Sequence, residues 1–247
     1  MNISGNTIFI PGATSGIGLG LALRLHAAGN RVIVAGRRTE LLAEIVAQNP
    51  GIEAVTVDTA DAASITRAAD EVKARFPETN VLITMAGIMR IEDLHTGDFL
   101  AVAESTITTN LLGPLRLVAA FVDHLSGKPD AAIMTVSSGL AFVPLPITPT
   151  YNATKAAIHS FSESLRVQLA DTGVQVIELA PPAVQTELLG QQDDPNAMPL
   201  EEFLSEVMTL IETQPDAHEI LVQRVYPLRF AEANGSYHAV LETLSGH

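Results

Sequence analysis

A strand, a glycine turn and a helix follow one another directly at the start of this chain. Asn6-Thr7-Ile8-Phe9-Ile10-Pro11 is apolar and β-branched, the pattern of a buried strand. Gly12-Ala13-Thr14-Ser15-Gly16-Ile17-Gly18 comes next without a linker. Leu19, Leu21, Ala22, Leu25 and Ala28 then recur with a helical period that Gly29 ends. In this order the backbone N–H groups of the turn and the helix N-terminus form a seat for a pyrophosphate. Gly12 can adopt a turn conformation closed to other residues. Gly16 and Gly18 let phosphates and the neighbouring strand come close, and Thr14, Ser15 and Ile17 complete the candidate binding turn. The plainer reading is a glycine-rich turn with no ligand.

The next strand bears on the cofactor. Arg31-Val32-Ile33-Val34-Ala35 is apolar and runs into Gly36-Arg37-Arg38. NAD-binding folds place an acid near this point for the ribose 2′-hydroxyl, and NADP-binding folds an arginine for the 2′-phosphate. Here there is no acid and there are two arginines. A carboxylate would repel a phosphate, and a guanidinium can grip it with two hydrogen bonds. The expectation is NADP(H), with NAD(H) left open. Arg37 and Arg38 could equally be solvated charges that open the next helix.

Tyr151 and Lys155 stand four residues apart, with Ser138 thirteen residues upstream of the tyrosine. Four residues is roughly one helical turn, so phenol and ammonium share a helix face. The ammonium is expected to lower the phenol's pKa from about 10 and so tune an acid/base for carbonyl/alcohol interconversion. An exposed Tyr/Lys pair on a solvated face is the bland alternative. A serine hydrolase is disfavoured, because no Gly-x-Ser-x-Gly elbow surrounds Ser138. His159 has no triad spacing and is expected to pack in the core or at a subunit contact.

Taken together, Gly12-x-x-x-Gly16-Ile17-Gly18, Asp58, Ala86-Gly87, Asn110, Ser138, Tyr151-x-x-x-Lys155 and Pro181…Thr186 resemble the short-chain dehydrogenase/reductase superfamily, over about residues 6 to 190. Ser137 to Pro144 and Glu178 to Pro182 are further similar to its bacterial DltE-type branch. The resemblance implies that Tyr151 is the general acid/base, that Ser138 binds the substrate oxygen and that Lys155 also holds the nicotinamide ribose. It implies that the Asn110 carbonyl holds a water linking Lys155 to solvent. Pro114, four residues on, lacks the N–H that would take that carbonyl, so a kink is expected in the helix from about Phe99 to Leu125. It places Asp58 on the adenine, unless that residue caps the helix after Asp61, and Ala86 and Gly87 along the cofactor. Pro181, Val184 and Thr186 fall at the carboxamide end. Met85 and Pro182 depart from the usual asparagine and glycine. Ser137 is expected to satisfy nearby backbone groups.

Strands alternate with helical patterns and no linker or repeat divides the 247 residues. The expected fold is a doubly wound α/β parallel sheet with helices on both faces, a single domain over 1–247. A net charge of −14 argues against nucleic-acid and anionic-membrane partners. The absence of cysteine excludes disulfides and thiol chemistry. With a strand this early no signal peptide is expected, no apolar run is read as nearing the ~20 residues of a membrane span, and a cytoplasmic protein is expected.

Residues 139 to 150 carry no charge and follow Ser138, so they line an apolar substrate pocket or pack as a buried loop. About 188–215 is expected to cover the substrate, with a last strand at Ile220-Leu221-Val222-Gln223. The expected partner is a small, largely apolar carbonyl or alcohol compound. A homodimer or homotetramer would use apolar residues between 156 and 169. The alternative from another class is an NADP(H)-sensing binding protein that kept the fold without turnover.

Overall fold

The computed structural model describes residues 1–246. Seven strands are present: β1 (Thr7–Pro11), β2 (Arg31–Gly36), β3 (Glu53–Thr56), β4 (Val81–Thr84), β5 (Ala132–Val136), β6 (Gln175–Leu179) and β7 (Glu219–Ile220). They pair in parallel in the order β3-β2-β1-β4-β5-β6-β7. Helices α1 (Gly16–Ala27), α2 (Thr39–Gln48) and α3 (Ala62–Arg75) link the first strands. Then come α4 (Phe99–Ile107), α5 (Gly113–Leu125), α6 (Pro149–Gln168), α7 (Leu200–Thr213), α8 (Tyr226–Arg229) and α9 (Tyr237–Ser245).

Strand alternation builds two cores. In β1, Ile8 and Ile10 pack with Leu21 and Leu25 of α1 and with Phe203 and Leu204 of α7. Phe9 between them packs on the other face with Val72 of α3 and Phe121 of α5. β2 repeats the pattern, with Val32 and Val34 on one side and Ile33 and Ala35 on the other. A sheet covered on both faces needs apolar residues at every strand position, which is why these strands read as unbroken hydrophobic runs. Strand order reverses between β1 and β4, and such a switch opens a crevice at the carboxyl ends of the strands.

Four expectations change in detail. The helix about Pro114 is divided by a π-helical turn, Thr108–Leu112, rather than bent at a simple kink. The proline's missing N–H is absorbed by widening one turn. The stretch Phe99–Leu125 is long enough, and over an 18-residue window with a mean hydropathy of 1.2 apolar enough, to cross a membrane by length and composition, contrary to the reading of the sequence. Interspersed threonines hid it from a search for unbroken runs. Its Leu117, Val118, Phe121 and Leu125 are core side chains against α3 and the sheet. Finally, the helical half of the 188–215 segment is part of the core. Phe203, Leu204, Val207 and Ile211 of α7 are buried, and Leu204 lies against Gly20 of α1. Only the stretch before α7 faces the crevice. The last strand is shorter and earlier than 220–223, at Glu219–Ile220.

Candidate active site

One cavity of about 780 Å³ opens at the carboxyl ends of the strands. Its first wall is the glycine turn. Gly12 has φ +95°, and a Cβ there would lie 2.5 Å from the Ala86 amide nitrogen. A Cβ on Gly18 would lie 2.3 Å from the Gly12 carbonyl oxygen. Backbone therefore packs on backbone at two points, and the end of β4 with Ala86 and Gly87 is drawn against the turn. Ser15 stands at the N-cap position of α1 and its side chain caps none of the first-turn amides. Gly16, Ile17 and Gly18 of that first turn line the cavity. An uncapped helix start with this backbone cradle fits a dinucleotide pyrophosphate.

The hydroxyl of Ser15 is engaged elsewhere. Arg38 Nη2 donates to Ser15 Oγ at 2.9 Å and to Thr14 Oγ1 at 2.7 Å. The guanidinium thus bridges the end of β2 to the turn, and Arg37 lines the same wall. Asp58 faces the cavity too and accepts from the Ala60 amide at 3.0 Å. It does not cap the following helix, because Asp61 does, accepting from the Ala63 amide. On the far side Pro181, Val184 and Thr186 form the third wall. Thr186 Cγ2 would sit 3.5 Å from a Cβ on Gly16, so this loop closes over the turn.

The floor holds Ser138, Tyr151 and Lys155. β5 delivers Ser138 to its carboxyl end, where Ser138 Oγ accepts from the Leu140 amide at 3.1 Å. That bond occupies a lone pair and leaves the hydroxyl hydrogen to donate. Tyr151 and Lys155, both buried, come from the first two turns of α6. Lys155 Nζ donates to the Val136 carbonyl at 2.8 Å and lies 5.5 Å from the centre of the Tyr151 ring. Burial pushes the Tyr151 phenol up to about 12, partly offset by a hydrogen bond with Ser138. Burial likewise pulls the Lys155 ammonium down to about 8, against an upward pull from Glu178. The expected lowering of the phenol by Lys155 is therefore not what this structure shows: desolvation of the phenolate dominates, and the group that lowers it is Ser138.

Asn110 lies outside the cavity wall, in the π turn. Its Oδ1 accepts from the Ile88 amide at 2.8 Å and its Nδ2 donates to the Ile88 carbonyl at 2.7 Å. The side chain thereby pins the chain after β4 beside Lys155. Ser137 Oγ is buried without a hydrogen-bond partner among the described residues, contrary to the role expected of it. Met85 fills space against Gly18 in place of a bracing amide.

Two groups escaped the sequence reading. Leu228 and Leu244, from α8 and the last turn of α9, reach the cavity although they lie far along the chain. His159 meets Glu178 as well as the Phe142 ring. A signal for the second existed, since Glu178 is a charge inside an otherwise apolar strand.

Fold and site together define a class, the oxidoreductases that work with a nicotinamide dinucleotide. The family model for short chain dehydrogenases matches residues 6–197, and the chain belongs to that family. The uncharacterized oxidoreductase DltE of Bacillus subtilis is 46% identical over 189 residues, 76% of this chain and 75% of the relative, which places the chain in the DltE branch. An uncharacterized oxidoreductase of Staphylococcus saprophyticus is 30% identical over 74% of this chain and 80% of its own length. A short chain dehydrogenase from Burkholderia cenocepacia, solved in complex with NADP, superposes with a TM-score of 0.83 at 28% identity, covering 98% of this chain and 99% of that one.

Proposed function

We propose that this protein is an NADP(H)-dependent oxidoreductase that interconverts a carbonyl and a secondary alcohol on a small, largely apolar molecule. The observation that carries the reading is the buried Tyr151 phenol, in contact with Ser138, in the cavity that the glycine turn also lines. When bound, the cofactor supplies or accepts the hydride. The glycine turn and α1 would hold its pyrophosphate, Lys155 its ribose, and Pro181, Val184 and Thr186 the far end. Arg38, already fixed over Thr14 and Ser15, favours a 2′-phosphate, and no acid ends β2 to oppose one. The relative crystallised with NADP supports the same choice.

Each catalytic side chain then has one task. Ser138 donates its hydroxyl hydrogen to the substrate oxygen. Tyr151, which keeps its proton at neutral pH, gives it to that oxygen as negative charge develops there. Lys155 is a buried cation beside the phenolate that results. Proton return through Lys155 and a water at Asn110 completes the reading, and the widened turn at Asn110 supports it. Met89, Leu140, Leu145, Leu188, Leu228 and Leu244 give the remaining wall an apolar side, beside Glu187, Gln191, Asp194 and Asn196, and that side favours a substrate with an apolar body. A homodimer or homotetramer would cover Val167 on α6, as the sequence suggested, and more fully the exposed Leu100, Ile107 and Leu112 near the π turn.

The test is Tyr151→Phe, assayed by NADPH absorbance over a panel of aldehydes and ketones. The variant should bind NADPH as the wild type does and lose at least about 10²-fold in kcat. Retained turnover would refute the mechanism. Tight NADPH binding by the wild type, with no turnover on any panel member, would favour the sensor instead.

A further inference from the structure

The layer between α6 and the sheet buries a cation and an anion that the mechanism has not yet connected. Lys155 is 5% exposed and Glu178 0%. A buried charge without an opposite charge is costly. Among the described residues, Lys155 belongs to no ion pair, and its ammonium donates only to the Val136 carbonyl. Glu178 Oε2 accepts from His159 Nδ1 at 2.8 Å, while Glu178 Oε1 has no hydrogen-bond partner. The other buried carboxylate, Glu92, has both oxygens taken by Thr150.

Strand pairing sets Glu178 on the side of the sheet where it can answer Lys155. Glu178 of β6 is in register with Thr135 of β5, the residue before Val136. Thr135 meets Ser162 of α6 and Glu178 meets His159 of α6, so both side chains point at the helix that carries Lys155. We propose that Glu178 is a positioning residue of the active centre, the buried countercharge that Lys155 shares with His159. For turnover this rests on the oxidoreductase reading; the charge pairing itself does not.

The surrounding charges fit that division. His159 faces Glu178 of β6, Glu219 of β7, Arg229 of α8 and, on its own helix, Glu163. Arg229 takes both oxygens of Glu219, at 2.7 and 2.9 Å, and its guanidinium lies over Phe142, whose ring packs edge-on against His159. His159, Glu178 and Glu219 offer atoms close enough for one metal ion, but Arg229 already serves as the cation of Glu219. Arg229 also feels the charge of Glu178, but its hydrogen bonds go to Glu219, which leaves His159 as the hydrogen-bond partner of Glu178 and Lys155 as the buried cation without a carboxylate of its own. Its charge pulls Lys155 upward while burial pulls it down.

The chain has three lysines, Lys73, Lys128 and Lys155, so ¹³C-lysine NMR resolves the titration of Lys155 and assigns it with Lys155→Met. In Glu178→Gln the Lys155 midpoint should fall by about one pH unit, and in Glu178→Asp it should stay near the wild-type value. A purely structural role gives the opposite sign, because looser packing rehydrates the ammonium and raises its midpoint. An unchanged or raised midpoint in Glu178→Gln overturns the proposal. Should that variant fail to fold, Glu178→Gln combined with Lys155→Met decides: recovery of folding once both charges are gone supports the pairing, and failure of the double variant overturns it. If the wild type turns over, the alkaline limb of kcat in Glu178→Gln moves down with the lysine midpoint at unchanged NADPH affinity; an unmoved limb removes the link to catalysis. If the wild type reduces nothing, the oxidoreductase reading fails on its own, and the lysine titration still decides the pairing.

Discussion

Lys155→Met should reveal how much stability the active site gives up. Burial takes the ammonium from 10.5 to about 8. The folded pKa lies below the unfolded one, so between them the unfolded chain binds more protons and stability rises with pH. The penalty is complete below about pH 8 and fades as the pH climbs toward 10.5. About 2.5 units at 1.36 kcal/mol each make about 3 kcal/mol at neutral pH. Methionine removes this penalty and also the hydrogen bond to Val136, which is worth about 1.5–3 kcal/mol. The two nearly offset at pH 7, so a single measurement there decides nothing. The pH dependence does decide: from about pH 7 to about pH 10, the wild type should gain about 2–3 kcal/mol relative to Lys155→Met. Urea unfolding at a series of pH values, followed by far-ultraviolet circular dichroism because the chain has no tryptophan, measures it. A difference between the two proteins that stays constant with pH would show that Lys155 is not an ionised, desolvated group, and the argument would fall.

Arg38→Ala should weaken NADPH binding by about 10- to 100-fold, the loss of a charge-assisted contact, and leave NADH binding unchanged. Isothermal titration with both cofactors checks this, and equal losses would remove Arg38 from cofactor choice. Gly12→Ala should destabilise by at least about 2 kcal/mol, since it combines a positive φ with a Cβ 2.5 Å from the Ala86 amide nitrogen. A melting curve like that of the wild type would refute that packing.

How far the sequence could be read follows the range over which each signal acts. The glycine turn, the strand runs and the helical spacing of Tyr151 and Lys155 are local, and local sterics or periodicity express them directly. The doubly wound order of strands followed, because two-sided burial leaves unbroken apolar strands. What stayed hidden depends on distance along the chain. Leu228 and Leu244 join the cavity only when the last helices fold back over Gly139, where Leu228 Cδ1 would stand 2.6 Å from an added Cβ. The pairing of Glu178 with His159 needs β6 placed beside β5 under α6. The state of the Tyr151 phenol was misjudged for a related reason. Spacing shows that an ammonium is near, but only packing shows how much water is gone.

The docking of α6 explains why its first two turns can carry two buried polar groups. Lys155, His159, Ser162 and Arg166 step by four, three and four residues and so lie on one helix face. Each bonds to the sheet: Lys155 to the Val136 carbonyl at 2.8 Å, His159 to Glu178 at 2.8 Å, Ser162 to Thr135 at 2.7 Å, Arg166 to the Val176 carbonyl at 3.2 Å. Apolar packing tolerates small slides, whereas directional bonds do not. A slip of one residue, about 1.5 Å along the axis, would break all four together. The helix is therefore held at one axial position by polar contacts that cost more to bury than leucines would. The return on that cost is placement, because a phenol fixed one turn before Lys155 sits at the same depth in the cavity in every molecule.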